Sequence, residues 1–202
     1  MAGDNTTELP PKPDRETGEP RPPAAPLEHS SDGFPAKAPS RLPKPPEGQG
    51  PALEYYRESA RSVWLGGLIP AGLILALAVW HSGSIAFSQW FVWLIIGAVY
   101  AFVVYRGRAT SLTAGAEWVR INRHWVHLYE LTRIHYVITA QGAGRELSLG
   151  DRHGGITVPL NVLQSNKRLW DLVYLGMRHS VANGAEVTRT ARAQFPELTN
   201  RN

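Results

Sequence analysis

The sequence predicts a membrane α-helical hairpin joined to an α+β domain, in which antiparallel strands are followed by one C-terminal helix. Three observations lead to this fold class. No Lys, Arg, Asp or Glu occurs between Arg61 and Arg106. Short alternating runs rich in β-branched and aromatic residues follow from residue 109 on. After Asn166 the apolar residues recur instead at spacings of three and four, which is the helical period.

Two uncharged segments, 63–80 and 85–105, lie within a predicted membrane region that covers residues 53–106. As helices of 18 and 21 residues they are long enough to cross a bilayer core of about 30 Å. Trp64 and Trp80 bracket the first segment, where the amphipathic indole favours the membrane interface. A soluble helical hairpin is the alternative, but so small a chain has little surface with which to cover it.

The charges that flank the segments predict the orientation of the hairpin. Arg57 and Arg61 precede the first segment, Arg106 and Arg108 follow the second, and the connection 81–84 has no Lys or Arg. Positive flanks stay on the cytoplasmic side, so we expect a multi-pass plasma-membrane protein with both termini in the cytoplasm. No ionisable group lies inside either segment, so the hairpin is not expected to transport ions.

The N-terminal 1–52 is predicted to be a disordered Pro-rich tail, because 13 of the 16 prolines fall in residues 1–51 and few large apolar residues accompany them. The alternative is a docking segment, since Pro20, Pro23 and Pro26 repeat the spacing of simple polyproline ligands, as do Pro43 and Pro46. Residues 53–62 are expected to extend the first membrane helix into the cytoplasm.

A strand-rich domain is predicted over residues 107–185, with a closing helix over 166–182 and a flexible tail over 186–202. Asn166 is the expected N-cap of the helix, and Asn183 with Gly184 its stop. Turns are expected at residues 141–144 and 150–154. The predicted strands cover residues 109–114, 117–121, 125–129, 133–139, 146–149 and 155–160.

Three groups of residues in this domain resemble a known family. They are Leu112-Thr-Ala, Trp125-Val-x-Leu-x-Glu-Leu-x-x-Ile134, and Leu147-x-Leu-x-Asp151-x-x-Gly154-Gly-x-x-Val158-Pro159-Leu160. The pattern resembles the bacterial pleckstrin-homology-like (PH-like) domains of actinobacterial membrane proteins, where two transmembrane helices often precede the domain. The resemblance implies a bent antiparallel sheet, near a barrel, with a C-terminal helix over one open end. It implies no common enzymatic activity.

The residues do not form a pattern typical of catalysis. The chain has no cysteine, which excludes disulfides and thiolate metal sites. His124 and His127 are three apart, which on a strand directs them to opposite faces, so metal binding is not expected. No nucleophile elbow, paired carboxylates or phosphate-binding loop occurs. We therefore expect no enzyme activity, no catalytic residues, no metal and no cofactor.

The remaining candidates are basic and aromatic residues suited to an interface with a lipid or protein partner. Nucleic-acid binding is not expected, because strands closed by one helix do not form a helix-turn-helix. Tryptophan in so small a domain is more often buried than exposed, so the core is the favoured location for Trp118 and Trp125. We expect a cytoplasmic binding module; the alternative is a structural subunit of a secretion, division or conjugation assembly, and oligomerisation stays open. The candidate contacts are Arg106, Arg108, Trp118, Arg120, Arg123, Trp125 and Tyr129.

Overall fold

The computed structural model of the chain describes residues 9–27, 42–57, 59–109, 111–139 and 144–199. In these residues the chain forms five α-helices and two sheets that are antiparallel except at one short edge. The chain divides into two compact units. One joins residues before 57 to residues after 111, and the other is centred on residues 57–111. The predicted α+β class is confirmed, and the folded unit also includes residues that precede the hairpin.

The second unit contains α1 (Ala60–Ser82) and α2 (Trp90–Ala109), joined by a 3-10 helix over Gly83–Ser88. The stretch Val63–Ser82 is long and apolar enough to cross a membrane, whereas the apolar part of α2, Trp90–Tyr105, is shorter. Its rise is about 24 Å, less than a hydrocarbon core of about 30 Å. The described residues therefore contain one candidate membrane span.

The predicted second span, 85–105, begins too early. The residues before Trp90 form the 3-10 helix, and Gln89 separates that helix from α2. Polar residues near the start of the predicted segment, such as Ser88, weaken its helical tendency, although the segment carries no charge. The α2 helix therefore starts five residues later than hydropathy alone predicts.

The two helices of this unit pack closely at Gly67. A Cβ atom added there would lie 2.9 Å from Cε2 of Tyr100, so any larger residue would require the Tyr100 ring or the helix to shift. The ring of Trp64 meets the Tyr100 ring edge-on, with the centroids 5.8 Å apart. Gly66 and Gly72 have open space around them and do not contribute to the contact. Most large apolar side chains elsewhere on the hairpin are exposed, as lipid or a neighbouring helix would require.

The first sheet has four strands in sequential order, and the hairpin interrupts it. The β1 strand precedes α1 and β2 follows α2, yet the two are neighbours in the sheet. Just before β1, the Leu53 N–H donates to the Ala114 carbonyl at 2.8 Å. The expected helical extension over residues 53–62 is wrong for its first part, since β1 occupies Glu54–Arg57 and α1 begins only at Ala60. The strands are β1 (Glu54–Arg57), β2 (Ser111–Ala114), β3 (Trp118–Ile121) and β4 (His124–His127).

The second sheet has the order β7-β6-β5-β8. Ile134 pairs with Leu149 and Leu149 with Ile156, and these inward side chains are buried. The alternate residues face outward, as the period of two requires. The predicted turn at 141–144 lies outside the described residues except for Gly144. The strands are β5 (Arg133–Thr139), β6 (Gly144–Gly150), β7 (Gly155–Pro159) and β8 (Glu186–Val187), the last parallel to β5.

The α4 helix (Lys167–Ala182) follows the short α3 (Leu160–Ser165) and corresponds to the helix predicted over 166–182. The Asn166 side chain accepts hydrogen bonds from the backbone N–H groups of Arg168 and Leu169, which is an N-cap. Its buried face packs into the core formed by both sheets. Gly176 lies so close to Leu128 that a Cβ atom there would clash with the Leu128 backbone. The helix ends at Ala182, Asn183 is its C-cap, and Gly184 follows with φ of 95°.

The C-terminal residues 186–199 are ordered and packed, which differs from the predicted flexible tail. They form β8, then α5 (Arg189–Gln194), then a 3-10 helix over Pro196–Leu198. Phe195 is 1% exposed and lies in an aromatic cluster with Tyr136, Trp170 and Tyr174. Short elements of this kind have weak local signals, and burial of Phe195 stabilises them.

The N-terminal residues 9–27 and 42–53 also pack in the unit that contains both sheets. Ala25 is buried, its N–H donates to Oδ1 of Asp171 at 2.8 Å, and the Trp170 indole donates to the Pro26 carbonyl at 2.9 Å. The His179 ring contacts the Pro10 carbonyl at 2.8 Å. The structure therefore differs from the predicted disordered tail in these residues, and the rest of that prediction lies outside the described residues.

Candidate functional site

The outward face of the β3–β4 hairpin brings together three of the predicted contact residues. Val119 pairs with Val126 on the inward face and both are fully buried. Arg120 therefore pairs with Trp125 on the opposite, outward face, where both side chains are half-buried. Arg123 lies exposed in the turn that joins the strands. We call Arg120, Arg123 and Trp125 the β3–β4 surface.

The turn between β3 and β4 contains one residue in the left-handed conformation. Asn122 has φ of 54°, a conformation that asparagine tolerates better than most residues. The two strands therefore join through only two residues, Asn122 and Arg123. Among the described residues no carboxylate forms an ion pair with Arg120 or Arg123. Neither guanidinium group is therefore neutralised by a carboxylate in the described part of the chain.

Trp118 belongs to the core and not to the contact surface. Its side chain is fully buried, and its indole N–H donates to the Gly50 carbonyl at 3.0 Å. The guanidinium carbon of Arg120 lies 5.8 Å from the Trp118 ring centroid, within the range of a cation–π interaction. Of the two tryptophans weighed between core and surface, Trp118 is buried and Trp125 is half-buried beside His127.

Tyr129 is also covered, by the N-terminal segment. The Lys12 ammonium lies 4.6 Å above its ring, and the His179 ring packs edge-on against it at 5.3 Å. Its buried hydroxyl has no hydrogen-bond partner among the described residues. Burial raises the pKa of the Tyr129 hydroxyl far above its ordinary value, and the charge of Glu117 adds to the effect. Tyr129 therefore stays neutral, and its ring is covered in part by Lys12 of the N-terminal segment.

The other two predicted contacts, Arg106 and Arg108, lie in the last turns of α2. Their side chains are outside the described part of the structure, so the structure assigns them no partner and no surface. The seven predicted contact residues thus fall into three groups. Three form the β3–β4 surface, Trp118 and Tyr129 are buried, and the side chains of Arg106 and Arg108 are not described.

The histidines do not form a metal centre in the described part of the chain. His127 lies on the outward face with Arg120 and Trp125, whereas His124 pairs with Ile121 on the other face. Their opposite directions follow from the three-residue spacing on a strand. Among the residues that the structure describes, no group of three His, Cys, Asp or Glu side chains is arranged to hold a metal ion.

The role of the N-terminal segment was the main feature that sequence reasoning missed. Gln49 contacts the His127 ring at 3.0 Å, and Leu53 packs against the core beside β2. A signal was present in the Leu-Glu-Tyr-Tyr run at residues 53–56, which alternates and is rich in aromatic residues. It was hidden because the run lies directly before the apolar helix.

Comparison with known proteins gives this chain no relative. No family model matches it, and no curated protein or solved structure resembles it at a significant level. The class of protein is therefore defined by its own fold. It is an α+β unit whose chain lies on both sides, in sequence, of an apolar helical hairpin, with a half-buried Arg–Trp pair on one strand face.

Proposed function

We propose that this chain is a two-pass membrane protein whose cytoplasmic, PH-like domain binds a protein partner through the β3–β4 surface and carries out no catalysis. The observation that carries the proposal is the half-buried Arg120–Trp125 pair, in which the arginine has no ion-pair partner among the described residues. The other tryptophan of the same strand face, Trp118, is covered by the chain itself. The PH-like assignment rests on the resemblance of the sequence pattern, with which two antiparallel sheets followed by a helix are compatible.

The pairing of β1 with β2 supports a two-pass topology. If α1 crosses a membrane, the chain must return before β2, because neighbouring strands of one sheet lie on the same side. The α2 helix is the only helical segment between them that can return the chain in the described residues. Its short apolar length is compatible with a locally thinned bilayer at modest cost. The positive flanks at Arg57 and Arg61 then favour a cytoplasmic domain.

The composition of the β3–β4 surface favours a protein partner over anionic lipid. Recruitment by anionic lipid uses clusters of four to eight basic residues, each worth about 1 kcal/mol near the surface. The β3–β4 surface has two arginines and no lysine. Half-exposed tryptophan beside arginine is instead the composition of interface hot spots, from which lysine is depleted.

The test is purification of the full chain from its native membrane in mild detergent. The variant Trp125→Ala with Arg120→Gln and Arg123→Gln should lose a stoichiometric partner protein that the unmodified chain retains. The matched control, Arg189→Gln with Arg192→Gln, removes two exposed arginines on α5 and should retain it. Equal melting temperatures of the two variants would show that both are folded.

Two results would contradict the proposal. Retention of every partner by the triple variant, with loss only when residues 60–109 are replaced by an unrelated helical hairpin, would indicate a structural subunit held through its membrane helices. Absence of a partner, together with flotation of the chain on anionic vesicles that depends on Trp125, would indicate lipid binding.

A further inference from the structure

We propose that a second site, on the outward face of the other sheet, binds a phosphate group. The site is a cleft of about 390 Å³ at the end of the sheet where β6 turns into β7. This volume is at the small end of the range for ligand pockets, which suits a compact polar group. We call it the basic cleft. Its lining includes five polar or basic residues and one glycine: Arg133, His135, Ser148, Arg152, His153 and Gly150.

The register of the sheet places these side chains together. Arg133 pairs with Gly150, and His135 pairs with Ser148 one step further along the same face. Gly150 in turn pairs with Gly155 across the next strand. Two adjacent positions of the outward face therefore lack side chains, and this leaves a depression between Arg133 on one side and the turn residues on the other.

The floor of the cleft has room for added atoms. A Cβ atom at Gly150 would meet its nearest neighbours, the Gly154 carbonyl oxygen and Nε of Arg133, at 3.7 and 3.8 Å. Both distances are ordinary van der Waals contacts, so glycine is not needed there for packing. The Gly150 backbone is not in the left-handed region either. The fold therefore tolerates an added methyl group at Gly150, and that group would lie beside the Arg133 side chain, in space that a ligand would otherwise use.

The one acid that lines the cleft is already occupied. Oδ1 of Asp151 accepts from the backbone N–H groups of His153 and Gly154, both at 2.8 Å. Oδ2 accepts from the backbone N–H of His127 at 2.9 Å. The carboxylate is buried and holds the turn in shape. This arrangement fixes the positions from which Arg152 and His153 extend, while leaving few lone pairs to compete for their donors.

The donors that remain suit an oxyanion. Neither Arg133 nor Arg152 has an ion-pair partner among the described residues, and each guanidinium presents N–H groups in a planar fork. Ser148 accepts the Thr157 hydroxyl at 3.2 Å, so its own O–H is available to donate. An imidazole can donate an N–H in either protonation state, which adds His135 and His153.

The number of acceptor oxygens favours phosphate over carboxylate. A phosphate monoester has three strong acceptor oxygens and can accept from both guanidinium groups and from Ser148 together, whereas a carboxylate has two oxygens. The Asp151 carboxylate offsets part of the positive charge of the cleft, so donor geometry matters more than net charge. The phosphate could belong to a lipid headgroup or to a soluble molecule, and the experiment separates these sources. The site lies on the second sheet and does not depend on the partner-binding proposal.

The experiment uses the full chain in phosphatidylcholine nanodiscs at constant ionic strength. Inorganic phosphate is titrated by calorimetry in one arm, and hydrogen exchange locates its effect. In the other arm the nanodiscs contain phosphatidic acid and no free phosphate. We expect saturable binding, or protection of residues 150–155, in at least one arm. Response to free phosphate would assign a soluble ligand, and response only to phosphatidic acid would assign a headgroup.

Three variants make the test specific. Arg133→Gln with Arg152→Gln should weaken binding by at least about tenfold, because charge-assisted hydrogen bonds are lost. Gly150→Ala should also weaken it by filling the floor, and its small size keeps the test valid if the double variant fails to fold. Arg189→Gln with Arg192→Gln should bind normally. No response in either arm, or equal affinity in all variants, would overturn the proposal.

Discussion

The indole N–H of Trp170 donates to the carbonyl oxygen of Pro26 at 2.9 Å, across a sequence separation of 144 residues. The next residue of α4, Asp171, accepts the N–H of Ala25, the preceding residue of the N-terminal segment. Two adjacent residues of the helix thus hold two adjacent residues of the chain that lies before the hairpin. This contact makes the folded unit an assembly of sequence from both sides of the helices.

Undocking of the N-terminal segment should be detectable by proteolysis. Ala25 is buried and Ala24 is exposed, so Ala25→Gln should weaken docking and Ala24→Gln should not. A loss of 1–2 kcal/mol corresponds to a factor of roughly 5–30 in the open population. We expect trypsin to cleave Ala25→Gln faster by about this factor after the exposed residue Arg15, which is followed by Glu16. Equal cleavage of the two variants would show that residues 9–27 do not dock in solution.

The charge of Asp171 should oppose folding at neutral pH. Burial raises the pKa of Asp171, although the Ala25 N–H and Lys167 act in the opposite direction. A carboxyl with a raised pKa binds more protons in the folded state, so its contribution to the free energy of unfolding falls as pH rises through that pKa. Asp171→Asn, whose amide oxygen can still accept from Ala25, should therefore be more stable than the unmodified chain at pH 7.

The stability difference between Asp171→Asn and the unmodified chain should shrink as pH falls toward 3.8, the ordinary value for the Asp side chain. Chemical denaturation at several pH values in one detergent measures it. A difference that is constant with pH, or one that grows on acidification, would contradict the assigned cause.

The C-terminal residues should contribute substantially to the stability of the domain. Phe195 is buried among three aromatic rings, and Phe→Ala changes in cores cost about 3–5 kcal/mol. We expect Phe195→Ala to lower the free energy of unfolding by this amount in denaturant titration. Arg192→Ala, on the exposed side of α5, should change it by less than about 0.5 kcal/mol. Similar small effects of both changes would indicate that residues 186–199 do not pack as described.

The helix contact at Gly67 should tolerate no side chain. Gly67→Val would place atoms against the Tyr100 ring, while Gly66→Val points into open space. The two changes are matched in helix propensity, so a difference between them reports packing. We expect a lower melting temperature in mild detergent for Gly67→Val alone. Equal melting temperatures would contradict the close approach of α1 and α2.

The elements with strong local signals could be predicted from the sequence. The α4 helix has a clear period and the Asn166 cap, and the β5–β7 strands alternate around turn residues. The docked N-terminal segment could not, and the alternation in β1 alone was too short to identify that strand. Both depend on contacts with residues far away, such as Asn166, whose side-chain amide donates to the Tyr55 carbonyl. A composition rich in proline predicts disorder only when no distant surface binds it.

The candidate site was predicted only in part, because burial of its aromatic residues also depends on segments far away in the sequence. Residue type identified Trp118, Trp125 and Tyr129 as candidates together, since aromatic residues suit both cores and interfaces. Exposure depends on which segment covers each of them, and residues 9–27 and 42–53 cover Trp118 and Tyr129. The basic cleft was not predicted, because its arginines and glycines meet only through the register of β5, β6 and β7.

The most direct test of the account is the sidedness of the chain in the membrane. The chain has no cysteine, so single cysteines can be introduced at Lys12, Gly83 and Arg123 and labelled in intact cells with a membrane-impermeant maleimide. The folded unit combines residues from before and after the hairpin, so Lys12→Cys and Arg123→Cys should lie on the same side of the membrane. Since the proposed side is the cytoplasm, both should be labelled only after lysis. Gly83→Cys, in the connection between the helices, should be labelled without lysis. Labelling of Lys12→Cys and Arg123→Cys on opposite sides of the membrane would contradict the account.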